Sequence, residues 1–343
     1  MASVPQFCVI SGEQVHDAIA GREKDVLQVV ESAYRLHGEG GAVNPGSHFL
    51  RFPGRPSSRS IALPAAAGGE VDTFGIKWIA SFPENVDAGL PRASAVMILN
   101  DAANGYPFAC LEASIISAVR TAASAALAAS RLTEARPGTR APRRVGFIGA
   151  GLIARYIMTY LGAAGFDFDE VGIHDLADTH AQGLAGHVRR TYDGDVTVYG
   201  KAEDLIRSSD LIVFATVAGR PHVTESAWFD HHPLVLHVSL RDLSPEVILA
   251  SYNVVDDVDH CLTAETSPHL AELAVGNRDF VAGSMYDLLA GALRPPSDRA
   301  VIFSPFGLGL LDLAVGRHVY DRLAAQDALV RIPGFFHELR RHG

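Results

Sequence analysis

The sequence is poor in cysteine, in cationic charge and in uninterrupted hydrophobic runs, and each shortage excludes something. Its three cysteines (Cys8, Cys110, Cys261) lie far apart in an odd number. No CxxC pair or disulfide framework is visible, which suits a reducing compartment. Lys plus Arg is 29 against 39 Asp plus Glu, giving a formal charge of −10. Nucleic acid is therefore a poor default partner, and a site for an anionic ligand needs a deliberate local cluster of cations. No apolar run reaches the ~20 residues that span a bilayer; the nearest, an Ala-rich stretch, is interrupted by Arg120 and Arg131. The start "MASVPQFCVISGEQ" has neither the basic region nor the apolar stretch of a signal peptide. Fifteen histidines show no HExxH-type spacing and so do not indicate zinc. The expectation is a soluble cytoplasmic protein with no membrane or nucleic-acid partner.

What is present is a full-sized core. The 343 residues are 48% hydrophobic, enough for one large domain or two ordinary ones. Between residues 48 and 110, short extended candidates ("HFLRF", "SIAL", "FGIKWIASF", "SAVMILN") are split by turn residues, as in a mostly antiparallel sheet. An Ala-rich helix follows over 111–132, and "TEARPGTRAPRR" looks like a domain boundary. Beyond it come "RVGFIG", "EVGIHD", "VTVYG", "DLIVFAT" and "LVLHVS", β-branched runs with little polar alternation, with "NVVDD" and "AVIFSPFG" as further candidates. Strands of that kind are buried on both faces of a parallel sheet with helices on each side. The stretch after Gly307 is amphipathic at helical spacing. The fold expected is α/β: a parallel-sheet domain over 133–307, and a mostly antiparallel substrate and dimerisation domain built from both chain ends, 1–132 and 308–343.

"VGFIGAGLIARY" carries Gly149-Ala150-Gly151-Leu152-Ile153-Ala154, a GxGxxA pattern with an apolar strand before it and a helix after it. In this Rossmann-type setting Gly149 permits the tight turn, Gly151 lets the backbone approach a pyrophosphate, and Ala154 keeps helix close to sheet. The N–H groups at the helix start, at Leu152 and Ile153, face the phosphates. Asp175 ends the next strand, where a carboxylate accepts bonds from the adenosine ribose. No cation follows it for a 2′-phosphate, so NAD is favoured over NADP. The plainer alternative is a glycine turn in a non-redox domain.

Three cations sit in otherwise apolar elements: Arg51 in "HFLRF", Lys77 in "GIKWIASF" and Arg120 in the Ala-rich helix. Ser114, Ser117, Thr121 and Ser124 form one stripe beside Arg120, as in one wall of a polar cleft. A buried guanidinium cannot shed its charge. Either a protein carboxylate neutralises it, or an anionic substrate does; the reading adopted is the substrate. Asp242, just past a strand of the parallel sheet, is either a catalytic carboxylate or the cap of a helix starting near "SPEVILA". "VDDVDH" (255–260) reads as a solvated acidic loop, and His231-His232 before Pro233 as a loop.

Together "GIKWIASFPENVDAGLPRASAVMILND", "GYPFACLEASIISAVRTAASAALAA", "VGFIGAGLIARY" and "LHVSLRDLSPE" resemble the ornithine cyclodeaminase/mu-crystallin family of NAD(P)-dependent enzymes. Within it the look is similar to the dehydrogenases that form L-2,3-diaminopropionate for siderophores and peptide antibiotics. Those oxidise N-(1-amino-1-carboxy-2-ethyl)-L-glutamate with NAD and water to diaminopropionate, 2-oxoglutarate and NADH. The resemblance implies that Lys77 and Arg120 hold substrate carboxylate, Lys77 also serving catalysis, and that Asp242 is the catalytic carboxylate. Arg51 matches the first substrate arginine, with Arg59 a rival. Thr121, Thr216 and Ser239 join the cofactor-binding residues. A homodimer is implied. Cyclodeaminases commonly read "GAD" where this chain reads "LRD", which counts against ornithine cyclisation. Ornithine or lysine cyclodeamination, imine reduction, and non-catalytic NAD(P)H binding are the competing expectations.

Overall fold

The computed structural model describes residues 5–138 and 140–337. The chain divides into two compact units, one formed by 1–120 with 308–343 and the other by 121–307. The division falls inside the Ala-rich helix, rather than after residue 132.

In the first unit, two amphipathic helices, α1 (Gly12–Ile19) and α2 (Glu23–Gly38), precede most of the strands and were not read from the sequence. Ser11 caps α1 and Gln14 returns the bond, closing a capping box. The sheet has eight strands: β1 (Cys8–Ile10), β2 (Ala42–Val43), β3 (His48–Phe52), β4 (Arg55–Ala67), β5 (Thr73–Ser81), β6 (Ala93–Asp101), β7 (Pro107–Glu112) and the returning β16 (Val330–Arg331). All pairings are antiparallel except β1 with β7. Alternation along β5 and β6 sorts the side chains. Lys77, Met97 and Leu99 are buried, while Phe74, Trp78, Val96 and Ile98 stay 36–45% exposed. Helix α11 (Gly309–Ala325) packs on β4, β5 and β6. It comes close because Gly316 has no side chain; a Cβ there would stand 2.6 Å from the Met97 sulfur. Helix α3 (Ser114–Ala135) starts where the Glu112 carboxylate accepts from the N–H groups of Ser114 and Ile115.

The second unit is a sheet of eight parallel strands: β8 (Arg144–Ile148), β9 (Glu170–His174), β10 (Asp195–Val198), β11 (Leu211–Phe214), β12 (Leu234–His237), β13 (Tyr252–Val255), β14 (Val281–Ser284) and β15 (Val301–Ser304). Their order is β10-β9-β8-β11-β12-β15-β13-β14. Strands β8, β11, β12 and β15 are almost wholly buried, which is why they lack polar alternation. The connecting helices are α4 (Leu152–Ala163), α5 (Asp178–Thr191), α6 (Ala202–Ser208), α7 (Pro245–Leu249), α8 (Val258–Cys261), α9 (Ser267–Val275) and α10 (Met285–Leu289). The order reverses between β8 and β11, so the crevice at their carboxyl ends is the binding position of such a sheet. The expected α/β architecture, one parallel and one mostly antiparallel sheet, is what the chain adopts. Among the described residues no helix is long and apolar enough to cross a membrane.

Candidate active site: a cluster in each unit

The glycine turn of the second unit has the form a dinucleotide needs. Gly149 sits at φ +94°, and a Cβ there would lie 2.6 Å from the Ala215 carbonyl oxygen; only glycine fits that turn. Gly151 is the N-cap of α4 without any side-chain cap bond, and a Cβ on it would meet nothing within 4 Å. Open space above uncapped helix N–H groups fits a pyrophosphate. Leu152 is half exposed there, Ile153 is partly buried and Ala154 is fully buried. Asp175, past the end of β9, accepts from Ala150 N at 2.8 Å and Ala177 N at 2.9 Å. It braces the glycine turn while standing where the ribose is expected.

Asp242 is the hub of a second set of residues on the same crevice edge. Its side chain is 0% exposed. Oδ1 accepts from the Thr216 hydroxyl and from His222 Nε2 at 3.0 Å. His237 Nε2 stands 3.4 Å from Oδ2. Burial alone would push this carboxyl up, but the hydrogen bond from His222 and the His237 ring beside it outweigh that and hold the group well below the usual carboxylate range. Ser244, without a side-chain cap bond, holds the N-cap position of helix α7, so Asp242 is not its cap. Ser239 is buried, and its N–H donates to the Phe214 carbonyl at 3.0 Å. His222 and His237 were missed. The signal for His237 was a histidine inside an otherwise apolar strand; the loop around His222 offered none.

In the first unit the expectation about charge is corrected. Arg120 and Lys77 are not left unbalanced by the polypeptide. Asp312, fully buried on α11, accepts from Lys77 Nζ at 2.7 Å and from Arg120 Nε at 3.1 Å. The close approach of α11 over Gly316 brings this acid to the sheet. Lys77 Nζ also donates to Ser117 Oγ at 3.1 Å. Burial drags Lys77 down from 10.5 to about 8, against the pull of Asp312. Two cations against one carboxylate leave the group one positive charge in excess. Of the hydroxyl stripe, Ser117 joins this group, whereas Ser114 bonds Glu112 at the helix start. Thr121 and Ser124 are each engaged as well. Arg51 is exposed, lies over the Phe49 ring and faces Arg59 across the β3–β4 pairing.

The acidic segment 255–260 is not simply a solvated loop. Asp256 is 1% exposed and accepts from Gly307 N at 2.6 Å and Asp257 N at 2.9 Å. Asp257 caps α8, and only Asp259 is fully solvated, beside Arg278. Among the described residues no group of three His, Cys, Asp or Glu is placed to hold a metal.

Residues 13–327 match the ornithine cyclodeaminase/mu-crystallin family. The nodulation efficiency protein NfeD of Rhizobium meliloti is 30% identical over 304 residues, 86% of this chain and 89% of that protein. The N-((2S)-2-amino-2-carboxyethyl)-L-glutamate dehydrogenase of Staphylococcus aureus is 25% identical over 335 residues, 94% of this chain and 97% of that protein. An archaeal alanine dehydrogenase, solved as a dimer with bound NAD, superposes with a TM-score of 0.83 at 25% identity, covering 96% of this chain and 100% of that one. With a family match over nearly its whole length and a relative at 30% identity, the chain belongs to the ornithine cyclodeaminase/mu-crystallin family.

Proposed function

We propose that this chain is an NAD-dependent dehydrogenase that oxidises and hydrolyses N-(1-amino-1-carboxy-2-ethyl)-L-glutamate to L-2,3-diaminopropionate and 2-oxoglutarate. The observation that carries the reading is the excess charge of the Lys77–Arg120–Asp312 group. Because Asp312 offsets only one of the two cations, Lys77 buried and Arg120 mostly so, one substrate carboxylate completes the group. Charge-assisted bonds of this kind orient the substrate as well as hold it. Arg51, or Arg59 facing it, is the further cation for a second carboxylate. The dehydrogenase relative from Staphylococcus aureus supports this choice of substrate.

NAD, when bound, supplies the acceptor for the Cα hydride. Gly149, Gly151 and the first turn of α4 would hold its pyrophosphate, with Leu152, Ile153 and Ala154 forming that turn and Asp175 at the ribose. Thr121, Thr216 and Ser239 would line the cofactor. Lys77 anchors carboxylate and, at about 8, loses or gains a proton near working pH, as a group used in acid–base steps does. The Asp242 cluster takes the amine proton.

The product feeds siderophore or peptide natural-product synthesis in the cytoplasm, a location supported by three free cysteines. The enzyme works as a homodimer joined through the exposed outer face of the first unit's sheet, at Phe74, Trp78, Val96 and Ile98. Mass spectrometry of products, with NADH absorbance, decides the reaction. Diaminopropionate and 2-oxoglutarate formed in step with NADH support it. Conversion of ornithine without NADH accumulation would replace it with cyclodeamination, and oxidation of NADH by cyclic imines would replace it with imine reduction. NADH binding with no turnover would leave a binding protein.

A further inference from the structure

The carboxylate offered by the sequence as proton acceptor is sealed off, and the ring bonded to it is not. The side chain of Asp242 is 0% exposed and that of His222 is 41% exposed. We propose that His222 is the group that exchanges protons with the substrate amine, and that Asp242 is a positioning residue acting through it. This rests on the dehydrogenase reading above.

The loop after β11 is stitched to the Asp242 backbone. The N–H groups of His222 and Val223 both donate to the Asp242 carbonyl at 2.9 Å, and Ser244 N donates back to Val223 O at 3.0 Å. The ring is thereby set against the carboxylate, with Nε2 on Oδ1 at 3.0 Å. An ionised carboxylate accepting from Nε2–H fixes the tautomer and leaves the lone pair on Nδ1. His237, the other ring at Asp242, is 1% exposed, with Nδ1 on Ser304 Oγ at 3.2 Å. Its Nε2 accepts from the Asp242 backbone N–H at 3.2 Å and so fixes that residue from behind. Asp242 meets His222 directly, His237 lies behind Asp242, and Arg220 and Glu225 are the charged residues of the same loop.

The step balances. The amine N–H bond breaks and its proton passes to Nδ1 of His222. The electron pair of that bond becomes the second bond of C=N as the Cα–H pair leaves as hydride to the nicotinamide, so the carbon is oxidised and the nicotinamide reduced. As water adds to the imine carbon, the proton on His222 returns to nitrogen and a proton of the water takes its place. Asp242 stays ionised throughout.

The test compares wild type, His222→Gln and Asp242→Asn. On the glutamate adduct, His222→Gln is expected to lose about 10²-fold or more in kcat, with KM and NADH affinity within a few-fold and the acidic limb of the pH profile gone. In His222→Ala, added imidazole restores part of the rate. Asp242→Asn is expected to lower kcat with KM and NADH affinity within a few-fold, and adding His222→Gln to it is expected to cost little more, because the two act as one unit. Near-normal turnover in His222→Gln, a retained acidic limb, or fully additive losses in the double variant would each overturn the proposal. If the adduct is not used but another amino acid is, the substrate reading fails and the same comparison runs on that substrate. If none is used, both readings fail.

Discussion

Replacing Asp312 with Asn keeps the shape of the side chain and removes the charge shared by the buried Lys77 and the partly buried Arg120. The bonds at 2.7 Å to Lys77 and 3.1 Å to Arg120 are both charge-assisted, and Asp312 is fully buried. Breaking a buried pair by removing one partner costs roughly 3–5 kcal/mol, so a loss of that order is expected in urea unfolding near pH 7. The pH dependence makes the test specific. Lys77 titrates at about 8 in the folded chain against 10.5 for the free side chain. Between those values the unfolded chain binds the extra proton, and stability rises with pH. Below about 8 the lysine is charged in both states, and its contribution is flat. Without Asp312 the attraction holding Lys77 up is gone, and its folded value falls further. The variant therefore gains about 1.4 kcal/mol per pH unit from its own lower value up to about 8, while wild type does not. The gap between the two narrows from pH 7 to 8 and is constant from there to about 10. A loss below about 1 kcal/mol, or a gap that ignores pH, would refute the account of this charge group.

Three further outcomes follow from the same geometry. Asp175→Ala should weaken NAD more than NADP in fluorescence titrations, and an unchanged ratio would remove the carboxylate from the ribose site. The KM for substrate should be flat below pH about 8 and rise above it, by up to tenfold per unit, as Lys77 loses its charge; a KM independent of pH would take Lys77 out of carboxylate binding. Trp78→Asp, on the exposed outer sheet face, should yield monomers by light scattering with NADH binding retained; an unchanged dimer would place the interface elsewhere.

The parallel sheet and its glycine turn were legible because burial on both faces leaves a local mark. "DLIVFAT" and "LVLHVS" have no polar alternation, and Gly149 precedes a helix start that needs it. The returning helix was legible by spacing, but its most consequential residue was not placed. Asp312 and Arg120 are 192 residues apart in sequence. Each is a charge inside an apolar helix, and that shared oddity was the available hint that they neutralise each other. Nothing local says which buried charges will meet, since partner choice depends on how closely α11 descends over Gly316. His222 lay further out of reach. A histidine in a polar loop has no periodicity, and its attachment to Asp242 comes from backbone bonds that a sequence does not display. The exposed hydrophobic face of the first sheet was half legible: "FGIKWIASF" alternates, yet apolar residues fall on both faces.

The central claim is that a buried group with one positive charge in excess is completed by a substrate carboxylate. The direct measurement is calorimetric binding of the glutamate adduct and of alanine to the NAD-loaded protein, in wild type and Arg120→Met. The account predicts that Arg120→Met, while still folding and binding NAD, loses affinity for both ligands, since each offers a carboxylate to the group. Unchanged affinity of both ligands in that variant would contradict it.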